Sequence, residues 1–258
     1  MAWWRQKTLW WAFIKRDICE RLAGSFLGPV MLFLQPLAQI LVFVFLFKYI
    51  FNIRIRLAEG INEDFLRFFL TGFIPWSIHN EALIRGANSI LAQGHLITKV
   101  VFPVEILPFS TVAAAYLVGL PGLIALWLIL YFTGGLPVQA FLGLAWLFVQ
   151  FLFTLGITFF LAALFVYLRD LLQFLGLLVM IWFYCTPILY SQNMLPEKIR
   201  FLLVLNPFTY FVNIWQTLCL GTPFKWIDLV LAIISSFLSL ALGLKFFQKS
   251  KEGFADIL

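Results

Sequence analysis

The longest uncharged run in the sequence extends from Ile106 to Leu168, 63 residues without an Asp, Glu, Lys, Arg or His. As a single α-helix this run would be about 95 Å long, roughly three times the ~30 Å hydrocarbon core of a bilayer. It must therefore fold back on itself. The Gly-Gly-Leu-Pro sequence at 134–137 is its strongest turn signal, because Gly and Pro interrupt regular structure. The run thus predicts two consecutive membrane spans joined by a short turn.

Composition is that of a membrane protein. Hydrophobic residues make up 63% of the 258 residues and charged residues only 12%, whereas soluble domains average ~45–50% and ~25%. The net charge of +6 comes from cations that are dispersed between the apolar segments. This dispersal is typical of contacts with lipid headgroups and of membrane topology, so we do not expect nucleic acid as a partner.

Four further apolar segments accompany the two in the uncharged run, and together they predict an all-α membrane protein with six transmembrane helices. They are residues 26–47, 65–87, 171–190 and 226–247. Six crossings put both chain ends, with most of the Lys and Arg residues, on one side, which the positive-inside rule identifies as the cytoplasm. Residues 201–224 are also uncharged, but a seventh span would put the C-terminal lysines outside. We therefore predict one or two short helices there that dip into the outer leaflet.

Residues 3–22 predict an amphipathic helix that lies in the membrane interface. Large apolar residues recur at helical spacing, with charged residues opposite them. Lys7 and Arg21 fall within the apolar stripe and would have to extend their charges toward the interface. The alternative interpretation is a frayed basic tail. The stripe consists of Trp3, Trp10, Trp11, Ile14, Ile18 and Leu22.

The second predicted span contains ionisable residues, which are functional suspects inside a membrane. Glu81 and Arg85 are four residues apart near one end of the span, so we expect a structural ion pair rather than a proton relay. His79 has no partners at metal-ligand spacing. We therefore predict no metal site.

The stretch from Asn88 to Pro108 is a partly polar interruption between apolar segments. It carries Lys99, and Pro103 disfavours helix at Phe102 and suits the entry to a new helix. One interpretation is an ordinary cytoplasmic loop, since loops connect elements. The other is a short surface helix between two membrane spans.

Sequence motifs for catalysis and nucleotide binding are missing. No Gly-Lys dipeptide occurs, so there is no Gly-x-x-x-x-Gly-Lys-Ser/Thr phosphate loop, and neither a Gly-x-Ser-x-Gly elbow nor a His-Glu-x-x-His helix is present. A membrane glycosyltransferase or phosphatase would need clustered acidic or His residues at the membrane surface. A passive channel would need no partner. We predict no catalytic and no cofactor-binding residues in this chain.

Short motifs are spread along the chain from Asn88 to Pro207. In order and approximate spacing they resemble those of the membrane subunits of type-2 ATP-binding-cassette exporters, and within that family the polysaccharide and O-antigen exporters. With the six-span layout, the resemblance covers essentially the whole chain. The motifs are Asn88, Leu96-Ile97, Lys99-Val100, Phe102-Pro103, Glu105, Leu107-Pro108, Arg169-Asp170-Leu171, Thr186-Pro187-Ile188 with Tyr190, and Asn206-Pro207.

The resemblance implies a homodimeric permease in the bacterial inner membrane, with both termini cytoplasmic and the transport pathway between the two copies. Two separate ATPase subunits would bind ATP and Mg²⁺, so this chain would not itself be an enzyme. The implied cargo is lipid-linked polysaccharide of the O-antigen type. A teichoic-acid-type polymer and a small hydrophobic drug are the alternatives for the same architecture.

The resemblance also implies roles for two segments. Residues 92–102, here named the coupling segment, would insert into a groove of the ATPase and carry its motion to the spans. Residues 193–220, here named the gate segment, would form short helices near the outer mouth. The interface helix at 3–22 would also reach the ATPase. The implied coupling residues are Leu96, Ile97, Lys99, Phe102 and Pro103, and the implied gate residues are Asn206, Pro207 and Tyr210.

Aromatic residues make up 19% of the chain, more than two interfacial belts obviously require. Aromatic rings can stack on the C–H faces of sugars without requiring a fixed sugar sequence, which suits the passage of a repeating polymer. The alternative is that these rings pack in the helix bundle or face lipid. Our candidates for a channel lining are Phe33, Phe43, Tyr49, Trp182, Tyr184 and Tyr190.

Overall fold

The computed structural model describes residues 7–22, 30–51, 54–58, 61–99 and 102–257. Within them the chain is nearly all helical. The elements are α1 (Lys7–Leu22), α2 (Val30–Val44, continued by a π-helix at Phe45–Phe51), β1 (Arg54–Ala58), β2 (Ile61–Asp64), α3 (Phe65–Ala92), α4 (Gly94–Lys99), α5 (Ile106–Gly134), a 3-10 helix (Val138–Leu142), α6 (Gly143–Tyr167), α7 (Asp170–Tyr184), a 3-10 helix (Gln192–Met194), α8 (Glu197–Leu205), α9 (Pro207–Leu220), α10 (Trp226–Ser250), a 3-10 helix (Lys251–Gly253) and α11 (Phe254–Ile257).

Helices occupy each of the six segments that the sequence predicts as membrane spans. Among the described residues, three helical stretches are long and apolar enough to cross a bilayer, namely Ile106–Gly134, Val138–Tyr167 and Trp226–Gly253. The fold is therefore that of a multi-pass helical membrane protein. The charge-free run folds back as predicted, and Gly135 at the turn has a φ of 90°, a conformation that favours glycine.

Two sequence expectations need correction. The polar loop before the second predicted span contains an antiparallel pair of strands, in which Arg54 is opposite Asp64, so the chain is not purely α-helical. Helix α7 ends at Tyr184, short of the predicted residue 190, because a proline at 187 disfavours helix in the residue before it. Residues 201–224 contain the end of α8 and the 14-residue α9, so the prediction of short helices there, in place of a seventh span, is confirmed.

Helix α3 lies at the centre of the bundle, with most of its 28 residues buried. Asp64 caps its first turn, since the Asp64 carboxylate accepts a hydrogen bond from the Leu66 amide at 3.1 Å. The helix packs against α5, α6 and α9. Polar side chains such as His79 and Thr71 are buried on it, and they find partners inside the protein rather than in lipid. A central helix can therefore carry more polar residues than a helix that faces the bilayer.

Helices α6 and α10 pack closely against each other because small residues lie between them. A Cβ atom added to Gly243 would collide with the carbonyl oxygen of Gly156. On the same face of α10, the hydroxyls of Ser236 and Ser239 donate hydrogen bonds of 3.1 Å to carbonyl oxygens of α6. Close approach through small residues, with hydroxyl bonds between helices, is a typical way to join membrane helices.

The bundle has two ends, which contain different elements. The end that contains α1, α4 and α11 is named the coupling end, because it carries the coupling segment. The opposite end contains the two strands, α8 and the start of α10, and it carries the gate segment. Within that segment α8 is mostly exposed, whereas α9 is mostly buried against α3 and α10.

Candidate functional site: the coupling and gate ends

The coupling segment contains the six-residue helix α4, separated from the central helix α3 by Gln93 alone. Leu96 and Ile97 are half-buried on α4, and Lys99 is exposed. Phe102 and Pro103 follow as half-buried residues, whereas positions 100 and 101 lie outside the described residues. The coupling segment is therefore directly continuous with the central helix.

The ring of Phe102 contacts the N-terminal helix rather than projecting freely from the surface. It stacks on Phe13 of α1 with ring centroids 5.9 Å apart, and Trp10 meets Phe109 edge to face at 4.7 Å. Trp11 is 61% exposed. The packed face of α1 therefore runs through Trp10 and Phe13, whereas Trp11 of the predicted apolar stripe lies outside that face. The contact of the stripe with the membrane interface stays a prediction. Of that stripe, Trp3 lies outside the described residues.

An ion pair also attaches α1 to the central helix. Arg21 Nη1 lies 2.6 Å from Glu81 Oε1, and the Arg21 side chain is only 6% exposed. Burial lowers the pKa of the Arg21 guanidinium, and the Glu81 carboxylate partly offsets that shift. The expectation that Glu81 pairs with Arg85 was wrong. Arg21 pairs with Glu81 because the packing of α1 on the bundle brings it there, and helical spacing within α3 carries no information about that contact.

The C-terminal residues close the same end. Lys251 Nζ lies 2.6 Å from Glu105 Oε1, just after the coupling segment. The Tyr167 hydroxyl donates to the Ser250 carbonyl and the Arg169 guanidinium to the Ile257 carbonyl, both at 2.7 Å. Two of the motif residues, Glu105 and Arg169, thus hold the last turns of the chain. The sequence analysis missed this contact, since nothing in the local pattern connects residues so far apart.

At the gate end, Asn206 joins two motifs that are separate in sequence. Its Oδ1 accepts hydrogen bonds from Trp182 Nε1 at 2.8 Å and from the Phe208 amide at 3.0 Å. Its Nδ2 donates to the Cys185 carbonyl at 3.1 Å and to Thr186 Oγ1 at 2.9 Å. One buried amide therefore ties the end of α7 to the start of α9.

The two other implied gate residues have local roles in the same turn. Pro207 occupies the first position of α9, where its missing N–H and its fixed φ suit a helix start. The Tyr210 hydroxyl donates to the Val204 carbonyl at 2.6 Å, which links α9 to α8.

The six aromatic candidates for a channel lining have different surroundings. Trp182 is half-buried and packs against Trp76, His79 and Phe208. Phe43 packs on α3. These two rings make the packing contacts that the alternative interpretation expected.

The remaining candidates are more accessible where they are described. Tyr49 and Tyr184 are 72% and 53% exposed. Tyr190 is half-buried, and its hydroxyl donates to the Tyr184 carbonyl at 3.2 Å. Phe33 lies in α2, with its side chain outside the described part of the chain.

A buried polar cluster between the two ends was not predicted. Thr154 Oγ1 lies 2.7 Å from His79 Nδ1 and 2.6 Å from the Tyr116 hydroxyl, and it donates to the Gln150 carbonyl at 2.9 Å. The Gln150 amide donates to the Pro75 carbonyl at 2.8 Å. These bonds join α3, α5 and α6. The available signal was the presence of Gln150 and Thr154 in a span without charges, since such groups need partners inside the protein.

Comparison with known proteins identifies the family. A family model described as ABC-2 type transporter matches residues 8–219, which is most of the chain. The chain belongs to the ABC-2 type transporter family. The resemblance drawn from the motifs is thereby confirmed, and this ABC-2 transporter chain is a multi-pass membrane component of a transporter.

Curated relatives of this ABC-2 transporter chain are named O-antigen export system permease protein RfbA. Two from Klebsiella pneumoniae are 29% and 28% identical over 252 and 253 residues, and each alignment covers 94% of this chain and 92% of the relative. A third from Myxococcus xanthus is 29% identical over 223 residues, with 80% of this chain and 78% of the relative covered.

Among the described residues, no group of three or more His, Cys, Asp or Glu could hold a metal ion.

Proposed function

We propose that this chain is the permease of an ATP-driven exporter that moves lipid-linked polysaccharide of the O-antigen type outward across the inner membrane. The observation that carries the proposal is its similarity to O-antigen export permeases over nearly their whole length. In this proposal the coupling end and both termini are cytoplasmic and the gate end faces outward.

The pathway lies between two copies of the chain. Support comes from α7, which buries only Leu175 and Val179 and exposes large apolar residues on its remaining surface. Helix α2 also exposes large apolar residues. Lipid and a second copy are the two environments that suit such surfaces within a membrane, and in the dimer the exposed rings of Tyr49 and Tyr184 border the pathway.

The energy comes from two ATPase subunits at the coupling end, which bind ATP and Mg²⁺, since this sequence has no phosphate loop. The ATPase receives α4 and pushes it when the nucleotide sites close. Helix α3 then carries the displacement, because its 28 residues extend about 42 Å from Ala92 to Phe65 at the gate end. The contacts of α1 and of the C-terminal residues hold the coupling segment in a fixed position relative to the bundle.

Export and coupling are tested together in the native host, from which the chain is deleted and to which variants are then restored. The double variant Leu96→Asp/Ile97→Asp is expected to abolish surface polysaccharide and to lose co-purification with the ATPase, while still inserting in the membrane. Gln248→Asp is the control, because Gln248 is exposed at the same end but outside the coupling segment. Normal surface polysaccharide in cells without the chain would refute the export proposal. If the intact chain is purified in gentle detergent without any ATPase, the proposed ATPase partner is refuted.

A further inference from the structure

A polar cavity of about 190 Å³ lies at the gate end, between α9, the loop before α10 and the 3-10 helix that follows α7. Amide, hydroxyl and carboxyl groups line one side of it, including those of Gln192, Asn213, Thr222 and Asp228. Half-buried Tyr190 contributes an aromatic ring. A concave site with a few converging polar groups is the usual form of a small-molecule site.

The polar groups of the cavity are held in place by hydrogen bonds to each other. Gln192 Nε2 donates to Asn213 Oδ1 at 2.7 Å, and Asn213 Nδ2 donates to Asp228 Oδ2 at 3.0 Å. The hydroxyl of Thr222 donates to that of Thr217 at 3.2 Å. Among the described residues, no protein donor bonds the second oxygen of Asp228, and this oxygen stays accessible to solvent although the whole residue is only 6% exposed. A ligand in the cavity can therefore donate a hydrogen bond to it.

The cavity contains one charged group of each sign, so it has no net charge to attract an ion. Asp228 lies in the cavity and Lys225 lies at its exposed rim. A neutral ligand whose groups both donate and accept hydrogen bonds fits this pair of charges and the neighbouring amides. Sugar hydroxyls have that chemistry, and Tyr190 offers a flat apolar face for the C–H side of a sugar ring.

The size of the cavity limits how much of a polymer can enter it. Pockets for drug-sized ligands run from about 300 to 1,000 Å³, so this smaller cavity accommodates about one sugar unit. Binding of one unit is weak, and a transporter must release each unit that it binds.

We propose that this cavity is a binding site for one neutral sugar unit of the exported polysaccharide at the outer mouth of each protomer. The proposal rests on the polysaccharide export proposed above. Because the cavity is built from α9 and from the residues that follow α7, the bound sugar stabilises one arrangement of the gate segment.

The experiment measures protection of a cysteine at the rim. Pro223→Cys is introduced into the full chain with Cys19 and Cys185 changed to Ser, and the chain is purified with its ATPase in lipid nanodiscs. The probe is the soluble polysaccharide released from the host's surface glycan by mild acid. It is expected to slow maleimide labelling of the Pro223→Cys variant but not of a Phe132→Cys variant, because Phe132 is exposed at the same end away from the cavity.

Two substitutions then test the cavity itself. Asp228→Asn keeps the shape of the side chain and is expected to raise the half-protecting polysaccharide concentration about tenfold or more, as loss of a hydrogen bond to a charged group does. Thr222→Val should raise it a few-fold, whereas Thr133→Val should leave it unchanged, since the Thr133 hydroxyl bonds only within its own helix.

Each outcome decides between the two proposals. Labelling at position 223 that polysaccharide does not slow, in a preparation that still exports, would overturn the sugar site and leave the export proposal intact. Protection that persists undiminished in both Asp228→Asn and Thr222→Val would also overturn it. Normal surface polysaccharide in cells without the chain would instead overturn the proposed function on which the site rests.

Discussion

Lys251 Nζ lies 2.6 Å from Glu105 Oε1, although 146 residues separate the two in sequence. Glu105 immediately precedes α5, and its side chain is 9% exposed. The ion pair therefore fixes the C-terminal residues to the turn that follows the coupling segment.

Lys251→Met is expected to lower the free energy of unfolding by about 1–3 kcal/mol, because it leaves the carboxylate of Glu105 buried without its cation. Lys249→Met should have little effect, since Lys249 is exposed. The free energies of unfolding of Lys251→Met, Glu105→Gln and the double variant, measured in nanodiscs, form a double-mutant cycle that gives the coupling energy of the pair. Strictly additive effects would contradict a direct pair.

Thr154→Val is expected to lower the free energy of unfolding by about 0.6–2 kcal/mol, the range for hydrogen bonds between membrane helices. The substitution keeps the shape of the side chain but removes the oxygen shared by His79 and Tyr116. Thr158→Val is a matched control, because Thr158 Oγ1 is buried with no partner among the described residues. That control should be neutral or stabilising. The cluster has no energetic role if both variants unfold alike.

Asn206→Asp is expected to destabilise the gate segment by about 1–3 kcal/mol and to reduce export several-fold. The aspartate keeps both acceptor bonds but loses both donors, and it puts a charged oxygen near the Cys185 carbonyl. Tyr210→Phe removes one exposed bond and should change stability by no more than ~0.5 kcal/mol. Unfolding of both variants in the same lipid measures the two free energies. A larger effect from Tyr210→Phe than from Asn206→Asp would show that the gate segment is held elsewhere.

Gly243→Ala is expected to lower stability by about 1–3 kcal/mol, because its Cβ would force α10 away from α6. Gly176→Ala is the matched control, since nothing lies within 4 Å of the added Cβ. Alanine there should be neutral or stabilising by up to ~1 kcal/mol through helix propensity. Thermal unfolding of both variants in the same lipid provides the comparison, and equal midpoints would contradict the close helix crossing.

Several features were predictable because they depend on neighbouring residues. The fold-back of the charge-free run follows from helix length and from the turn signal at residues 134–137. The start of α9 follows from Asn206-Pro207, a cap followed by a residue that suits the first helical position. The motifs predicted the family, since each of them is a local pattern and they occur in a particular order.

Other features were not predictable, because they depend on which helix face meets which neighbour. Helical spacing paired Glu81 with Arg85, whereas the packing of α1 provides Arg21. Likewise, no local pattern indicates that the Trp182 indole donates to Asn206. Both contacts join side chains that lie far apart in sequence.

By itself the sequence determined that the chain is a membrane protein and to which family it belongs. It also determined, to within several residues, where the helical segments begin and end. Charge, hydropathy and turn residues act over a few neighbours, so they can be read along the chain. Only the tertiary structure decided that Phe102 stacks on Phe13, that Lys251 reaches Glu105, and that Gln192, Asn213 and Asp228 share one cavity. Those contacts arise from the packing of whole helices, in which many weak interactions are satisfied together.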